Sequence, residues 1–404
     1  MLPATPLRGL SIGITEPNAN FLWSPAERSA VAPGFGRWRD ALDAIDPGIY
    51  RLLINWAQVQ PDPSRPPDWD VPDSGCLRGL APCGPYDGIR EQLEAIRSRQ
   101  RHGGLDVLVV LNAVPAWASP QTASGCELTP TPPGARGVAP QAIGAYAALA
   151  RSLLALAAQE GVALRFWSAW NEPNAPQFIS PQRATCSAAS PSLAPARYAT
   201  LVRALEPVLR AAPGDDQLVI GETAAYGAAT AIKTSVQEFV ADLPQDVVCA
   251  ADVWAQHVYI SPATSLEQGA ALVAARDAGR LDAAGSVALL AQIHTALAAR
   301  GCGHPYSIWV TETGVGGPVA GGPRPADPAS ARAGCRELAA ALSGWDALGY
   351  VGAAVQYTFR EDDLYPVGLV NSTMTATYPA YDLWRAWGQR APGGPAPPLP
   401  SSCV

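Results

Sequence analysis

LRFWSAWNEPN, residues 164 to 174, holds an apolar, aromatic-rich run that stops abruptly at a carboxylate, Glu172, set between Asn171 and Pro173. The run itself, 164 to 171, reads as a strand of a parallel sheet, because seven more apolar, β-branched-rich runs recur along the chain with helical stretches between them. These are LSIGIT (10–15), YRLLIN (50–55), LDVLVVLN (105–112), QLVIGE (217–222), DVWAQHVY (252–259), YSIWVTE (306–312) and GAAVQYT (352–358). Eight parallel strands can close on themselves, so the fold class expected is α/β: a (β/α)8 TIM barrel in a single domain.

The segments between the runs carry leucine, isoleucine and alanine at three- and four-residue spacing, as in YDGIREQLEAIRSRQ, AIGAYAALARSLLALAAQE, ARYATLVRALEPVLRAA and SVALLAQIHTALAARG. That period places one apolar face against the outside of a barrel. A barrel needs about 250 residues, and this chain has 404. The surplus goes into Pro- and Gly-rich loops after strands 2, 3 and 4 (61–85, 119–137 and 179–195), all on the C-terminal face where barrel active sites lie. Residues 1–390 are expected to form the barrel, and the Pro-rich tail 391–404 is expected to be tethered through Cys403.

Eight cysteines without a CxxC pair argue for disulfides and an oxidising compartment rather than metal or thioredoxin-like chemistry. Simple neighbour pairing gives Cys76–Cys83, Cys126–Cys186, Cys249–Cys302 and Cys335–Cys403, one of 105 possible connectivities. Such bonds would staple the long loops. The first ten residues, MLPATPLRGL, lack the charged and apolar regions of a signal peptide. A secreted protein whose leader has been removed is therefore expected on the cysteines alone. No segment reads as a bilayer span.

The formal charge of −7 and pI near 5.2 argue against a nucleic-acid or anionic-membrane partner, and a neutral substrate suits such a surface better. Lys233 is the sole lysine and lies in a helix-like stretch, which weakens any Schiff-base chemistry. Of four histidines only His257 ends a strand, and none stands in an HxH or HExxH arrangement, so neither a metal nor another cofactor is expected. A monomer is expected.

With eight strands drawn, Glu172 falls just past strand 4 and Glu312, in WVTETG, ends strand 7. A lone glutamate at a strand end is ordinarily a solvated loop residue. Two of them over one barrel mouth fit the paired carboxylates of glycoside hydrolysis, in which one protonates the leaving oxygen and the other attacks the anomeric carbon or activates water.

Asn-Glu-Pro after strand 4, Glu312 at the end of an aromatic-rich strand 7, and the His-x-Tyr of His257 and Tyr259 together resemble clan A of the glycoside hydrolases. That resemblance spans the whole barrel and implies a retaining (β/α)8 glycosidase acting on a plant or microbial oligo- or polysaccharide, with Glu172 as acid/base and Glu312 as nucleophile. It further implies that Arg51, low on strand 2, approaches Glu312 and holds it ionised. Asn171 is then placed to bond the sugar 2-hydroxyl, while His257 and Tyr259 orient the acid and the nucleophile. Partial burial among Trp167 and Trp170 would favour the protonated acid. The ending YTFRED…GLV is most similar to the xylosidase-like group, although Gln356 and Tyr357 stand where many clan members carry a tryptophan on strand 8.

Trp56, Trp117 and Tyr226 lie just beyond strands 2, 3 and 5 and are candidates to stack on sugar faces or else to serve as core. Asn112, closing strand 3, is a further candidate for substrate binding, as is Gln356. Glu222 ends strand 5 as a rival carboxylate without the proline-asparagine context, and ranks as a binding residue. Two other readings use the same residues: a transglycosylase, which differs only in the acceptor, and a non-catalytic carbohydrate-binding barrel, which has no reason to keep both glutamates with Asn171.

Overall fold

The computed structural model describes residues 9–72, 83–86, 88–127, 131–262, 279–316, 324–362 and 365–404. Eight strands, β1 (Ser11–Thr15), β2 (Ile49–Asn55), β3 (Asp106–Asn112), β4 (Phe166–Ser168), β5 (Gln217–Thr223), β6 (Val253–His257), β7 (Ser307–Thr313) and β8 (Val351–Tyr357), pair in parallel and in chain order, and β1 closes on β8. All eight runs read from the sequence became barrel strands. The one marked difference is β4, which leaves strand geometry after Ser168 while keeping its lateral bonds: Asn171 N–H donates to Leu111 O at 3.2 Å, and Glu172 N–H to Glu222 O at 2.9 Å.

The strands are apolar without interruption because both faces are buried. Ile49, Leu108, Val110, Phe166, Val219, Val253, Ala255, Trp309, Ala353 and Val355 fill the barrel, with Phe166 and Trp309 meeting edge to face at 4.6 Å. The other face of each strand packs on an outer helix layer. Its longer helices include α1 (Ile89–His102), α2 (Ile143–Glu160), α3 (Ala194–Ala211), α4 (Ala283–Ala298) and α5 (Pro328–Ala347). Local chemistry marks their ends. Asp282 caps α4 by accepting from Gly285 N–H at 2.6 Å, and Gly161 ends α2 in the left-handed conformation at φ 69°.

One expectation needs correcting here. Pro140–Glu160 is long and apolar enough to cross a membrane, with a hydropathy of 1.3, although no such span was read from the sequence. Its leucines, isoleucine and alanines together account for the value. In the fold this helix is a barrel helix: Tyr146, Leu149, Ala150, Leu153, Leu156 and Ala157 are buried, and Tyr146 Oη–H donates to Ala169 O at 2.7 Å.

Three of the four cysteine pairs are bonded as neighbour pairing anticipates: Cys126–Cys186, Cys249–Cys302 and Cys335–Cys403. The fourth involves Cys76, outside the described residues. Of the three, Cys126–Cys186 joins the loops after β3 and β4 and so staples the C-terminal face. Cys249–Cys302 instead ties the segments entering β6 and β7, and Cys335–Cys403 fastens the tail to α5. The staples thus serve the whole barrel rather than the mouth alone.

Two strands break the simple alternation of side chains, and both breaks matter. On β5 the register with β6 slips between Gly221 and Thr223, so Glu222 is an extra residue. On β7 the register with β6 slips between Val310 and Glu312. A bulge sends every later side chain to the opposite face. Val219 and Trp309 point into the barrel and Ile220 and Val310 point out, so strict alternation would have sent Glu222 and Glu312 outward as well. The bulges turn both carboxylates inward.

The β5 bulge depends on glycine. Gly221 has φ 102°, and a Cβ there would stand 2.5 Å from Ala255 O and 2.8 Å from the Trp254 ring. Gly221→Ala should therefore destabilise the fold by about 1–3 kcal/mol in urea unfolding, and should lower activity through the displaced Glu222. Wild-type stability in this variant would show that the bulge does not need the glycine.

Candidate active site

The inward carboxylates meet a buried cation. Arg51 shares the interior face of β2 with Ile49, two residues below it, and is fully buried. Its guanidinium forks three ways: Nη1 donates to Glu312 Oε1 at 2.7 Å, and Nη2 donates to Glu222 Oε2 at 2.6 Å and to Asn171 Oδ1 at 2.7 Å. Burial alone would disfavour its charge, but Glu222 and Glu312 outweigh that and keep it cationic.

His257 forms the second hub. Its Nε2 lies 2.8 Å from Glu222 Oε2, and its Nδ1 lies 2.9 Å from Glu172 Oε1 and 3.4 Å from Glu312 Oε2. Burial would push the imidazole down, yet Glu312 and Glu222 together hold it up at about 10. For Glu222, burial raises the carboxyl, and Arg51 and His257 overcome this to bring it to about 2. Glu222 is therefore a permanent anion between two cationic donors. Nε2 donates to it, and the protonated ring donates through Nδ1 to Glu172 Oε1.

Tyr259 donates its hydroxyl to Glu312 Oε2 at 2.6 Å, and burial, with the Glu312 charge, pushes the phenol well above its ordinary range. It stays a donor. Asn171 accepts from Arg51 through Oδ1, an orientation dictated by arginine having only donors, and so its amide N–H2 is the end left for another partner. Glu172 itself adopts φ 37°, a left-handed backbone unusual for glutamate. Its side chain is 16% exposed and that of Glu312 9%, so these two carboxylates reach the mouth above a buried network.

Glu172, Glu312, Asn171, His257, Tyr259, Arg51 and Glu222 are thus brought together. Other residues read as substrate-binding are placed differently. Glu222 has no exposure and its Oε2 is taken by Arg51 and His257, so it positions those two cations. Gln356 points away from the barrel interior by plain alternation with Val355 and Tyr357, and its amide donates to the carbonyls of Tyr357 at 2.9 Å and Val367 at 2.8 Å. Trp56 is fully buried, packs edge-on against Trp117 and Tyr146, and donates to Gln60 Oε1 at 2.8 Å. Trp167 and Trp170 are core as well, so they do not set the environment of Glu172. His257 does. Trp117 and Asn112 stay partly exposed beside the mouth. Tyr226 is nearly buried among Ala175, Ala224 and Phe178, with Lys233 Nζ 4.5 Å from its ring centre.

Two features escaped the sequence reading. Tyr365 stacks on Tyr259 with ring centres 6.0 Å apart, and an aromatic in the loop after β8 was the available signal. Glu16-Pro17-Asn18 repeats, at the end of β1, the Glu-Pro-Asn of residues 172–174. There the glutamate is pinned by Asn18 N–H at 3.1 Å and Arg360 N–H at 2.8 Å, and burial raises it to about 7 despite those bonds. It fastens β1 to the segment after β8.

Comparison with solved structures finds the same architecture. A family 30 subfamily 8 xylanase from Clostridium acetobutylicum aligns with TM-score 0.51 and 14% identity over 96% of this chain and 74% of that one. A family 39 glycoside hydrolase from Bacteroides cellulosilyticus WH2 gives 0.52 and 16% over 94% and 64%, and a GH5_18 protein from Bifidobacterium longum subsp. infantis gives 0.55 and 14% over 96% and 80%. The chain shares the fold of these glycoside hydrolases. No protein-family profile and no curated protein matches the sequence.

One donor atom each from Glu172, His257 and Glu312 lies within 4.8 Å of the others, a spacing that could gather a metal ion. The surroundings oppose it. Both His257 nitrogens already serve carboxylates, and the Arg51 guanidinium would repel a second cation at Glu312.

The two shifted groups make opposite demands on pH. His257 is raised from 6.5, so its contribution to stability is complete below about pH 6.5 and disappears as pH climbs through about 10. Glu222 is lowered from 4.5, so its contribution is present above about pH 4.5 and disappears toward pH 2. Between pH 6.5 and 10 the unfolding free energy of the wild type should fall by up to about 1.4 kcal/mol per pH unit, the slope for one proton. Urea titrations of His257→Gln over the same range should lack that component, and an unchanged slope would mean the imidazole is not protonated in the cluster.

Proposed function

We propose that the protein is a retaining O-glycoside hydrolase acting on a plant or microbial oligo- or polysaccharide, with Glu312 as nucleophile and Glu172 as general acid/base. The observation that carries this reading is the carboxylate pair at the mouth, whose oxygens approach within 4.8 Å. An approach this close lets both carboxylates reach one glycosidic bond, and the retaining course follows from the resemblance to clan A.

In the first half of the reaction Glu312 attacks the anomeric carbon while Glu172 passes its proton to the departing oxygen, and the sugar becomes bound as an ester. Arg51 and Tyr259 hold the two Glu312 oxygens at 2.7 and 2.6 Å, which fixes the attacking carboxylate and steadies its charge. His257, held by Glu222 through Nε2, supplies that proton to Glu172 through Nδ1 at 2.9 Å. In the second half the Glu172 carboxylate takes a proton from water, the oxygen attacks the same carbon, and Glu312 leaves with net retention. The amide N–H2 of Asn171 is disposed to donate to a sugar hydroxyl, a contact that strengthens toward the transition state. Three disulfides support an extracellular location.

A panel of aryl glycosides, with product configuration read by NMR, tests this. Glu312→Gln should lose essentially all turnover. Glu172→Ala should lose about 10²–10⁴-fold in kcat where the leaving group needs protonation, and less on activated aryl leaving groups, with rescue by azide to a glycosyl azide of retained configuration. Unchanged rates in either variant, or an inverted product, would defeat the assignment.

A further inference from the structure

Arg280 is a buried cation without a counter-charge among the described residues, one phenol ring away from Glu312. It belongs to a short parallel ribbon just beyond β6, in which Tyr259 pairs with Arg280 and Ile260 with Leu281. The residue is 2% exposed, its Nη1 is buried without a hydrogen-bond partner, and among the described residues no carboxylate pairs with it. Other deeply buried arginines are matched: Arg51 bonds Glu222 and Glu312, and Arg183 bonds Glu238. Burial pushes the Arg280 guanidinium down to about 10, so it is still a cation at neutral pH. A charge taken out of water with nothing to answer it is costly to the fold, and such groups gather where a ligand completes them.

The surroundings say which ligand. The Arg280 ζ-carbon lies 5.9 Å from the centre of the Tyr259 ring, and Tyr259 Oη donates to Glu312 at 2.6 Å. Tyr365 stacks on the same ring. On the other side Gly279 packs on the loop after β5, where an added Cβ would stand 3.4 Å from Ala225 N. The ribbon therefore carries a cation against the one ring whose hydroxyl holds Glu312. A guanidinium binds a planar or tetrahedral oxyanion through paired N–H donors, whereas a neutral hydroxyl would leave its charge unanswered. We propose that Arg280 is the receptor for an oxyanion carried by the substrate, either the carboxylate of a uronic acid or a sulfate ester, on the sugar bound at Glu312 or its immediate neighbour. This deepens the glycosidase reading and rests on it. It also replaces the neutral substrate suggested by the overall charge, because a local cation outweighs a diffuse negative surface at contact distance.

The test uses matched aryl glycosides differing only in the anion: glucoside with glucuronide and glucoside 6-sulfate, and galactoside with galacturonide and galactoside 6-sulfate. The wild type should prefer one acidic member over its neutral partner by at least about tenfold in kcat/KM, the factor for one charge-assisted hydrogen bond of modest strength. A preference for uronides identifies a carboxylate, and a preference for 6-sulfates identifies a sulfate. In Arg280→Met that ratio should fall to within about twofold of one, and in Arg280→Lys it should be intermediate. A wild-type ratio near one for every pair overturns the proposal, as does a ratio that survives Arg280→Met. Calorimetry of glucuronic acid, glucose 6-sulfate and glucose with the Glu312→Gln protein gives a readout independent of turnover. Binding of an acidic sugar that disappears when Arg280→Met is added supports the site, and equal or absent binding of all three counts against it. Neutral glycosides hydrolysed through Glu312 without any acid preference would defeat this inference and leave the glycosidase reading standing. Acid-selective binding without hydrolysis would do the reverse.

Discussion

Arg51 is the point on which the mouth of this barrel turns. A guanidinium buried at the centre of a sheet must be neutralised locally, and removing one partner of such a cluster costs about 3–5 kcal/mol. Glu222 and Glu312 supply the opposite charge, and Asn171 supplies a carbonyl oxygen. Three strand ends, those of β4, β5 and β7, are therefore held at fixed distances from a fourth, β2, by one side chain. His257 repeats the arrangement one layer higher, answering Glu222 from above and offering its other nitrogen to Glu172. Charge balance forces the geometry: neither cation could remain buried if the carboxylates stood apart.

That network requires inward-facing acids, and regular strands would not deliver them. The bulges on β5 and β7 reverse the side-chain parity at the last turn of each strand, and Gly221 makes the first possible by accepting a backbone that no Cβ would tolerate. Glu172 reaches the same space by a different route, with β4 ending early and the chain crossing between β3 and β5 on two backbone hydrogen bonds. Backbone irregularity is concentrated where the chemistry is proposed to occur, and the regular, apolar lower barrel holds it in place.

The upper rim packs on this base through Tyr259. Tyr259 is shared between two roles, bonding Glu312 through its hydroxyl and carrying Tyr357 and Tyr365 against its ring. Arg280 lies against the same ring, its ζ-carbon 5.9 Å from the ring centre. Cys126–Cys186 ties the loops after the neighbouring strands β3 and β4, which limits how far those two loops can separate.

The eight-strand closure was legible in the sequence because strands buried on both faces must be apolar throughout, and no tertiary information is needed to see such a run. The acids at 172 and 312 were legible for a related reason: a charged residue ending an apolar run is conspicuous, and Asn-Glu-Pro adds a local signature. Cysteine spacing likewise carried three disulfides. What the sequence could not decide was which acid does what. Glu16 and Glu172 sit in the same Glu-Pro-Asn triplet, yet one fastens a seam through two backbone N–H groups and the other faces an imidazole. Glu222 ranked as a binding residue, and Trp56 and Gln356 as parts of a cleft, until packing buried all three. Arg280 gave no signal at all. Local pattern determines whether a residue can be buried, because that depends on its neighbours in the chain; whether a charge finds a partner depends on strands far apart in sequence, and only the closed barrel brings them within hydrogen-bond reach.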